Sequence, residues 1–288
     1  MRNPKSSLIT TKPGQVTNSL PRRMMKPHAS AWGTALAWIL SIGAVLLLWQ
    51  MVAGFYPVAI LPSPSETLEA LRWLTTRSSF YEHLRLTAMR GATGFILAMS
   101  LGSTIGFLMG RYQLAAWLLN PLVAISTMVP PIFWVAVMII WMGLGSGPPV
   151  LVVVITATPL VAVNIAQGMH SIQPRLVEMS QIFQVNRMTR LRELYLPALS
   201  GHLFAAALIA VRFAWRTVIM AEFIGSTNGL GNRLAWARQN LEMNLAFAYL
   251  LVIVGLGMTL EYGILRPAKR RWGWEYDKDE SGRIKAET

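Results

Sequence analysis

The chain has 288 residues, 53% hydrophobic and 14% charged, with a net charge of +13 and no cysteine. A soluble domain of this size carries more charge, so membrane residence is the first expectation. The lack of cysteine excludes disulfides and thiolate metal sites, and a nucleic-acid reading would need the basic residues gathered on one soluble face.

Residues 1–30 are polar, basic and proline-containing, too long a basic region for a signal peptide, and the apolar run from Trp32 to Ala53 exceeds the usual signal core. An uncleaved first span is expected. Apolar runs near 33–53, 86–110, 115–142, 149–167, 203–224 and 245–265 come close to the roughly 20 residues a helix needs to cross hydrocarbon. They are continuously apolar rather than alternating, which predicts helices and not barrel strands. The expectation is an all-α, polytopic membrane protein with six transmembrane helices. It comprises a basic tail (1–30), a transmembrane domain (31–268) with a long loop at 168–202, and a C-terminal tail (269–288). With the N-terminus inside, 18 of the 26 Lys and Arg fall in cytoplasmic segments, 5 in outer segments (Arg72, Arg77, Arg85, Arg233, Arg238) and 3 in spans. The positive-inside rule then places both ends in the cytoplasm.

In chain order, the first outer connection begins "ILPSPSETLEALRWL". Pro62 and Pro64 favour an extended entry, and Ser65 is the expected N-cap of an amphipathic helix starting near Glu66, with Trp73 at headgroup depth. In the second span Ala98, Gly102, Gly106 and Gly110 repeat every four residues, a smooth stripe for a close helix partner in the same chain or a second copy. The third span carries "STMVPPIFW", with Pro130 and Pro131 near its middle, and the fourth carries Pro159. Each proline removes a donor and crowds the preceding turn, so kinked or locally unwound helices are expected, either lining a pathway or merely shaping the bundle.

In the loop at 168–202, Leu176, Met179 and Phe183 share one helical face, and Met188, Leu191 and Tyr195 share another. The spacing predicts two amphipathic helices divided near Gln184–Asn186, with Asn186 capping the second and Pro197 marking the turn into the next span. Such a hairpin can rest on lipid, on the underside of its own bundle, or in a groove of a partner protein. At the C-terminus Trp272, Trp274 and Tyr276 read as an interfacial anchor before a disordered tail. His28, His83, His170 and His202 are scattered between tail and loops, which disfavours a histidine metal site.

Within the spans lie Arg90, Arg212, Arg216, Glu222 and Glu261. Intramembrane charges are costly and default to function. Arg212 and Arg216 are four apart and share a face. Glu222 can neutralise at most one of the three arginines, so a positive excess remains in the outer half of the bundle. Two readings stay open. Arg90 and Arg216, with Trp215 beside them, attract an anionic solute to their guanidinium forks; or the arginines bond to helix carbonyls and Glu222 and hold the bundle together. A self-sufficient ion-coupled carrier is the alternative function, but Asp277 and Asp279 lie in the tail and only two glutamates lie in spans. Enzyme chemistry would want paired carboxylates at one depth or a base beside a nucleophile, and Glu222 and Glu261 are expected at opposite membrane faces.

The run "VEMSQIFQVNRMTRLRELYLP" resembles the cytoplasmic motif of the permease subunits of ABC importers: Glu-Ala-Ala, three residues, Gly, nine residues, then Ile-x-Leu-Pro. Glu178, Met179 and Ser180 take the Glu-Ala-Ala places, Gln184 the Gly place, and Leu194, Leu196 and Pro197 the closing places. The runs "LPSPSET", "LTAMRGATGFILAMSLGSTIGFLMG", "VPPIFWVAVMIIWMGLG" and "AWRTVIMAEFIGSTNGLG" follow in order the type I importer permeases of the nitrate, sulfonate and taurine branch. The resemblance spans residues 34 to 275.

It implies a bacterial inner-membrane permease that forms a homodimer, binds two ATP-hydrolysing subunits and receives solute from an extracytoplasmic binding protein. ATP and Mg would sit on the partner ATPase, leaving this chain non-catalytic. No Gly-x-x-x-x-Gly-Lys-Ser/Thr occurs, and "GLGSGPP" is expected to be an outer turn without the following helix or lysine. A helix at about 174–185 would dock into the ATPase, with Glu178, Met179, Ser180, Phe183, Gln184, Leu196 and Pro197 as coupling residues. Arg90, Pro130, Pro131, Trp215, Arg216 and Glu222 would line the solute pathway. Gln184 stands where the motif has glycine, so a turn that requires positive φ would hold this side chain at some cost.

Overall fold

The computed structural model describes residues 31–268. The tails expected at 1–30 and 269–288, with His28 and the Trp272–Tyr276 anchor, lie outside the described residues. Those described residues are helical or loop, with no strand. The helices are α1 (Ala31–Ala53), α2 (Pro64–Thr75), α3 (Ser78–Arg111), α4 (Gln113–Met128), α5 (Pro131–Met142), α6 (Gly147–His170), α7 (Pro174–Ile182), α8 (Arg187–Arg190), α9 (Leu196–Gly225), α10 (Leu230–Gln239) and α11 (Met243–Thr259). Leu191–Tyr195 and Leu260–Leu265 are π-helical. The turns of α1 up to Leu47 and the chain from Leu48 onward form separate units, and α2 to α11 all belong to the second.

Among the described residues four helical stretches are long and apolar enough to cross a membrane: Ser78–Arg111, Gly147–His170, Arg187–Gly225 and Met243–Ala268. A shorter apolar helix covers Leu40–Ala53. The span expected at 115–142 is not one kinked helix. It breaks into α4 and α5, bent by 99°. Val129 and Pro130 are extended (ψ 119 and 140), and Pro131 starts a new helix at its first turn. Two successive residues without N–H groups cannot continue the ladder of α4, whereas a proline at a helix start loses nothing. Pro159, by contrast, sits inside an unbroken α6.

The stripe on α3 packs against α6 of the same chain. A Cβ built on Gly94 would lie 2.7 Å from Val153 Cγ1, and one on Gly102 would lie 2.6 Å from the Val161 Cβ and 2.8 Å from the Thr158 carbonyl oxygen. Gly106 meets Ile165 and Gly110 meets Met169 in the same register. Residue numbers rise together along the contact, so α3 and α6 run parallel. That settles how the bent α4–α5 pair travels. A re-entrant loop would return the chain to the side where α3 ends and make α6 antiparallel, so α4–α5 carries the chain across.

Ser63, not Ser65, caps α2. Its side chain accepts from the Glu66 amide (3.3 Å) and its own amide donates to Glu66 Oε2 (2.7 Å), a reciprocal capping box. Pro64 is pre-set for the first helical turn, which moves the start ahead of Ser65. Ala70 and Leu74 of α2 are buried against Ala248, Tyr249 and Ile253 of α11, and Trp73 is exposed.

Pro197 does not mark a turn. The helix runs from Arg187 through Gly225, and the amide of Leu196 bonds five residues back to Leu191. This wider turn makes room for the pyrrolidine ring that would otherwise strike the preceding carbonyl. The same device recurs before Pro267, where the Arg266 amide bonds to Glu261.

The two helices of the 168–202 hairpin meet where expected, and Gln184 has φ 51. The amide of Val185 donates to Ser180 O (3.0 Å) and that of Gln184 to Gln181 O (3.0 Å), the paired bonds of a Schellman turn. Asn186 holds the N-cap position without a side-chain capping bond. Arg190 Nη2 instead reaches the carbonyls of Ser180 and Val185 (3.3 Å each) and staples the two helices. A left-handed glutamine costs about 1 kcal/mol relative to glycine. Gln184→Gly should therefore slow hydrogen exchange at the Val185 amide by about three- to fivefold; unchanged or faster exchange would show that the turn carries no strain.

Candidate functional site

At the end of the bundle where α3 begins and α9 finishes, a buried polar cluster forms around Glu222. This residue is fully buried and Arg90 is 4% exposed. Glu222 Oε1 accepts from Arg90 Nη1 at 2.7 Å, and Oε2 accepts from Thr87 Oγ1 (2.8 Å) and the Gly231 amide (3.1 Å). The last of these belongs to the first turn of α10, so a helix N-terminus adds to the neutralisation. Gly229 has φ +105, and its Cα faces the Glu222 carboxylate so closely that no side chain fits there. Arg90 Nη1 also donates to Asn228 O (2.8 Å), and Nη2 donates to Ser146 Oγ (2.7 Å) and to Asn228 Oδ1. Ser226 Oγ donates to Gly145 O at 3.1 Å. Arg90 and Glu222 thus tie together α3, α9, the loop after α5 and the loop before α10. Their charges are met by the protein itself.

Sequence reasoning did not anticipate Thr87, Ser146, Asn228 or the α10 N-terminus in this cluster. The glycines of "GSTNGLG" were the available signal: they mark backbone that approaches something closely, but not what it approaches. His83 is in α3 and His202 in α9, not in loops. His83 Nε2 accepts from Arg233 Nε at 2.7 Å, which extends the cluster to α10. Among the described residues no three His, Asp or Glu gather to hold a metal ion.

Earlier along α9, Arg212 forms a two-pronged bridge to Glu261 at the π-turn of α11, Nε to Oε2 at 2.7 Å and Nη2 to Oε1 at 2.8 Å. The side chains are 43% and 29% exposed. This partner was not anticipated, because sequence alone does not bring α9 beside α11. Arg216, one turn on, is exposed, and no hydrogen bond or ion pair holds it among the described residues. Arg212, Trp215 and Arg216 line a groove of about 600 Å³ with Ile253, Met258, Glu261 and Tyr262 of α11 and its continuation. Gly257 lets the Trp215 indole nitrogen approach to 3.0 Å of where a Cβ would stand. Of the proposed pathway residues the structure therefore brings Trp215 and Arg216 together in one groove, and sets Arg90 and Glu222 apart in the buried cluster. Pro130 and Pro131 form the elbow between α4 and α5.

The hairpin residues are brought together at the other end of α6. Helix α7 has no buried residue. Met179 is 52%, Ile182 76% and Phe183 73% exposed, so its apolar face is not covered by its own bundle. Glu178 and Gln184 are exposed, Ser180 is half-buried with its hydroxyl donating to Val177 O (2.6 Å), and Leu196 and Pro197 are exposed at the foot of α9.

The model of the binding-protein-dependent transport system inner membrane components matches residues 94–271. The taurine transport system permease TauC of Escherichia coli K12 is 27% identical over 253 residues, covering 84% of this chain and 92% of that protein. A protein named as an aliphatic sulfonates transport permease, SsuC of Bacillus subtilis strain 168, is 24% identical over 234 residues, covering 81% and 84%. Among solved structures, the inward-facing MetNI methionine ABC transporter aligns with TM-score 0.53 and 21% identity, over 68% of this chain and 96% of that one. With its helical spans, buried charge clamp and uncovered hairpin, the chain belongs to the binding-protein-dependent transport system inner membrane components and is the non-catalytic permease of an ABC importer, a multi-pass inner-membrane subunit that works with a separate ATPase.

Proposed function

We propose that this permease imports a small organic or inorganic anion of the sulfonate, taurine or nitrate kind, by alternating access along a path lined by Trp215 and Arg216. The observation that carries this is the unequal fate of three arginines. Arg90 and Arg212 are each met by a glutamate, while Arg216 faces the groove unpaired. An unpaired guanidinium inside an apolar segment is costly unless a ligand or water meets it. The names of the sulfonate and taurine relatives agree with an anion. On this reading Arg90 and Glu222 brace the wall of the path, and the Pro130–Pro131 elbow supplies the irregular backbone that such paths tolerate. In vesicles holding the permease, its ATPase and the binding protein, Arg216→Met should lower solute uptake at least about tenfold, the scale of one charge-assisted bond. Wild-type uptake by this variant would remove the assignment.

Both termini and the 168–202 hairpin face the cytoplasm on this reading, two copies of the chain pair in the membrane, and each α7 docks into a cleft on one of two ATPase subunits, where ATP and Mg bind. The excess of arginine at the hairpin end (Arg111, Arg175, Arg187, Arg190, Arg192) supports that side. The uncovered Met179, Ile182 and Phe183 supply the apolar anchor. Met179→Glu should reduce binding-protein-stimulated ATP hydrolysis at least about tenfold, because a carboxylate must be desolvated in the cleft. It should leave insertion unchanged, since the side chain touches no core. Normal stimulation would mean that another surface transmits the stroke.

A further inference from the structure

We propose that Glu261 is a specificity-determining residue that sets the valence of the solute, which makes the groove selective for solutes carrying a single anionic group over dianions. The inference rests on the reading of Trp215 and Arg216 as pathway lining. Arg212 and Arg216 stand one turn apart on α9 and line the same groove. Left alone they would present two positive charges. Glu261 neutralises Arg212, its two oxygens accepting from Nε at 2.7 Å and from Nη2 at 2.8 Å. One net positive charge remains, on Arg216.

The pairing has one chemical consequence. A dianion would bring a second negative charge beside the Glu261 carboxylate, the sole acid of the lining, with no free cation to receive it. The rest of the lining suits an apolar body. Trp215, Ile253, Val254, Met258 and Tyr262 surround the two arginines. The placement of Glu261 is itself built, because the π-turn Leu260–Leu265 adds an i to i−5 bond at the point where this side chain must turn toward α9.

The test uses the permease–ATPase complex in lipid nanodiscs without the binding protein, so that the membrane subunit alone discriminates. The probes share one body, 1-hexanesulfonate and 1,6-hexanedisulfonate, titrated calorimetrically. The wild-type complex should bind the monosulfonate at least about tenfold more tightly than the disulfonate, and Glu261→Gln should raise affinity for the disulfonate at least about tenfold. The double variant Arg212→Gln with Glu261→Gln restores the charge count and should restore the monosulfonate preference. Should Glu261→Gln not assemble, Met258→Lys adds the same charge to the lining with the ion pair intact and must favour the disulfonate likewise.

A wild type that does not discriminate, or a Glu261→Gln complex that keeps the original order, overturns the valence role. Monosulfonate binding that survives Arg216→Met refutes the pathway reading beneath it. Binding that depends on Arg216 but is indifferent to Glu261 refutes only the present inference.

Discussion

Gly102→Val is expected to leave the chain inserted but unable to assemble. The wild-type glycine faces α6 so closely that a Cβ would stand 2.6 Å from the Val161 Cβ and 2.8 Å from the Thr158 carbonyl oxygen. Neither neighbour can yield, since one is a branched core carbon and the other is helix backbone. The two helices must separate, and the parallel α3–α6 register would then be lost at Gly94, Gly106 and Gly110 as well. Overpacking of this kind costs about 3 kcal/mol or more, at the upper end for one site, because in lipid close backbone approach is itself the driving force. The fraction of monodisperse protein after detergent extraction and its thermal midpoint measure the effect. A variant with wild-type yield and midpoint would show that α3 and α6 are not locked in the register described.

The second large effect is expected at Glu222. Glu222→Ala leaves the Arg90 guanidinium buried without its counter-charge and strips Thr87 and the Gly231 amide of their acceptor. Removing one partner of a buried pair costs about 3–5 kcal/mol, most of it the stranded charge. The double variant Arg90→Met with Glu222→Met removes both charges and should be less destabilised than the sum of the single variants Arg90→Met and Glu222→Met, by about 1–3 kcal/mol in a double-mutant cycle. Thermal midpoints of the wild type, the two singles and the double in one detergent decide it. If the double variant is as damaged as the sum of the singles, the two side chains act independently and the clamp is not a unit.

The two predictions separate bracing from transport. The Arg90–Glu222 clamp fixes where the loops after α5 and α9 lie, so its loss should appear as instability. Arg216 is bonded to nothing among the described residues, so its loss should appear in uptake with stability kept.

Parts of the fold and site are legible in the sequence, for reasons that differ from residue to residue. The Gln184 turn can be read because a Schellman turn is a local object: six consecutive residues and one φ decide it. The irregularity at Pro130 and Pro131 is legible as a missing donor, but the 99° bend is not, since a proline pair says where a ladder stops and not where the next helix points. The Ala98–Gly110 stripe announces a close partner without naming α6. Ser63 displaces Ser65 as the cap because Pro64 settles the first turn. The turn expected at Pro197 does not form, because a π-turn absorbs a proline without ending the helix.

The sequence by itself determined that the chain is a helical membrane protein, roughly where its apolar helices lie, and that a structured hairpin separates two of them. Each of these follows from the transfer of a contiguous window into lipid, a sum over neighbouring residues that needs no knowledge of the rest of the chain. Only the tertiary structure decided which charges are answered. Arg90 meets Glu222 across 132 positions and Arg212 meets Glu261 across 49, leaving Arg216 open to the groove. Ion pairing falls off over a few ångströms in space, and distances that short are set by how helices pack laterally, which no single window records.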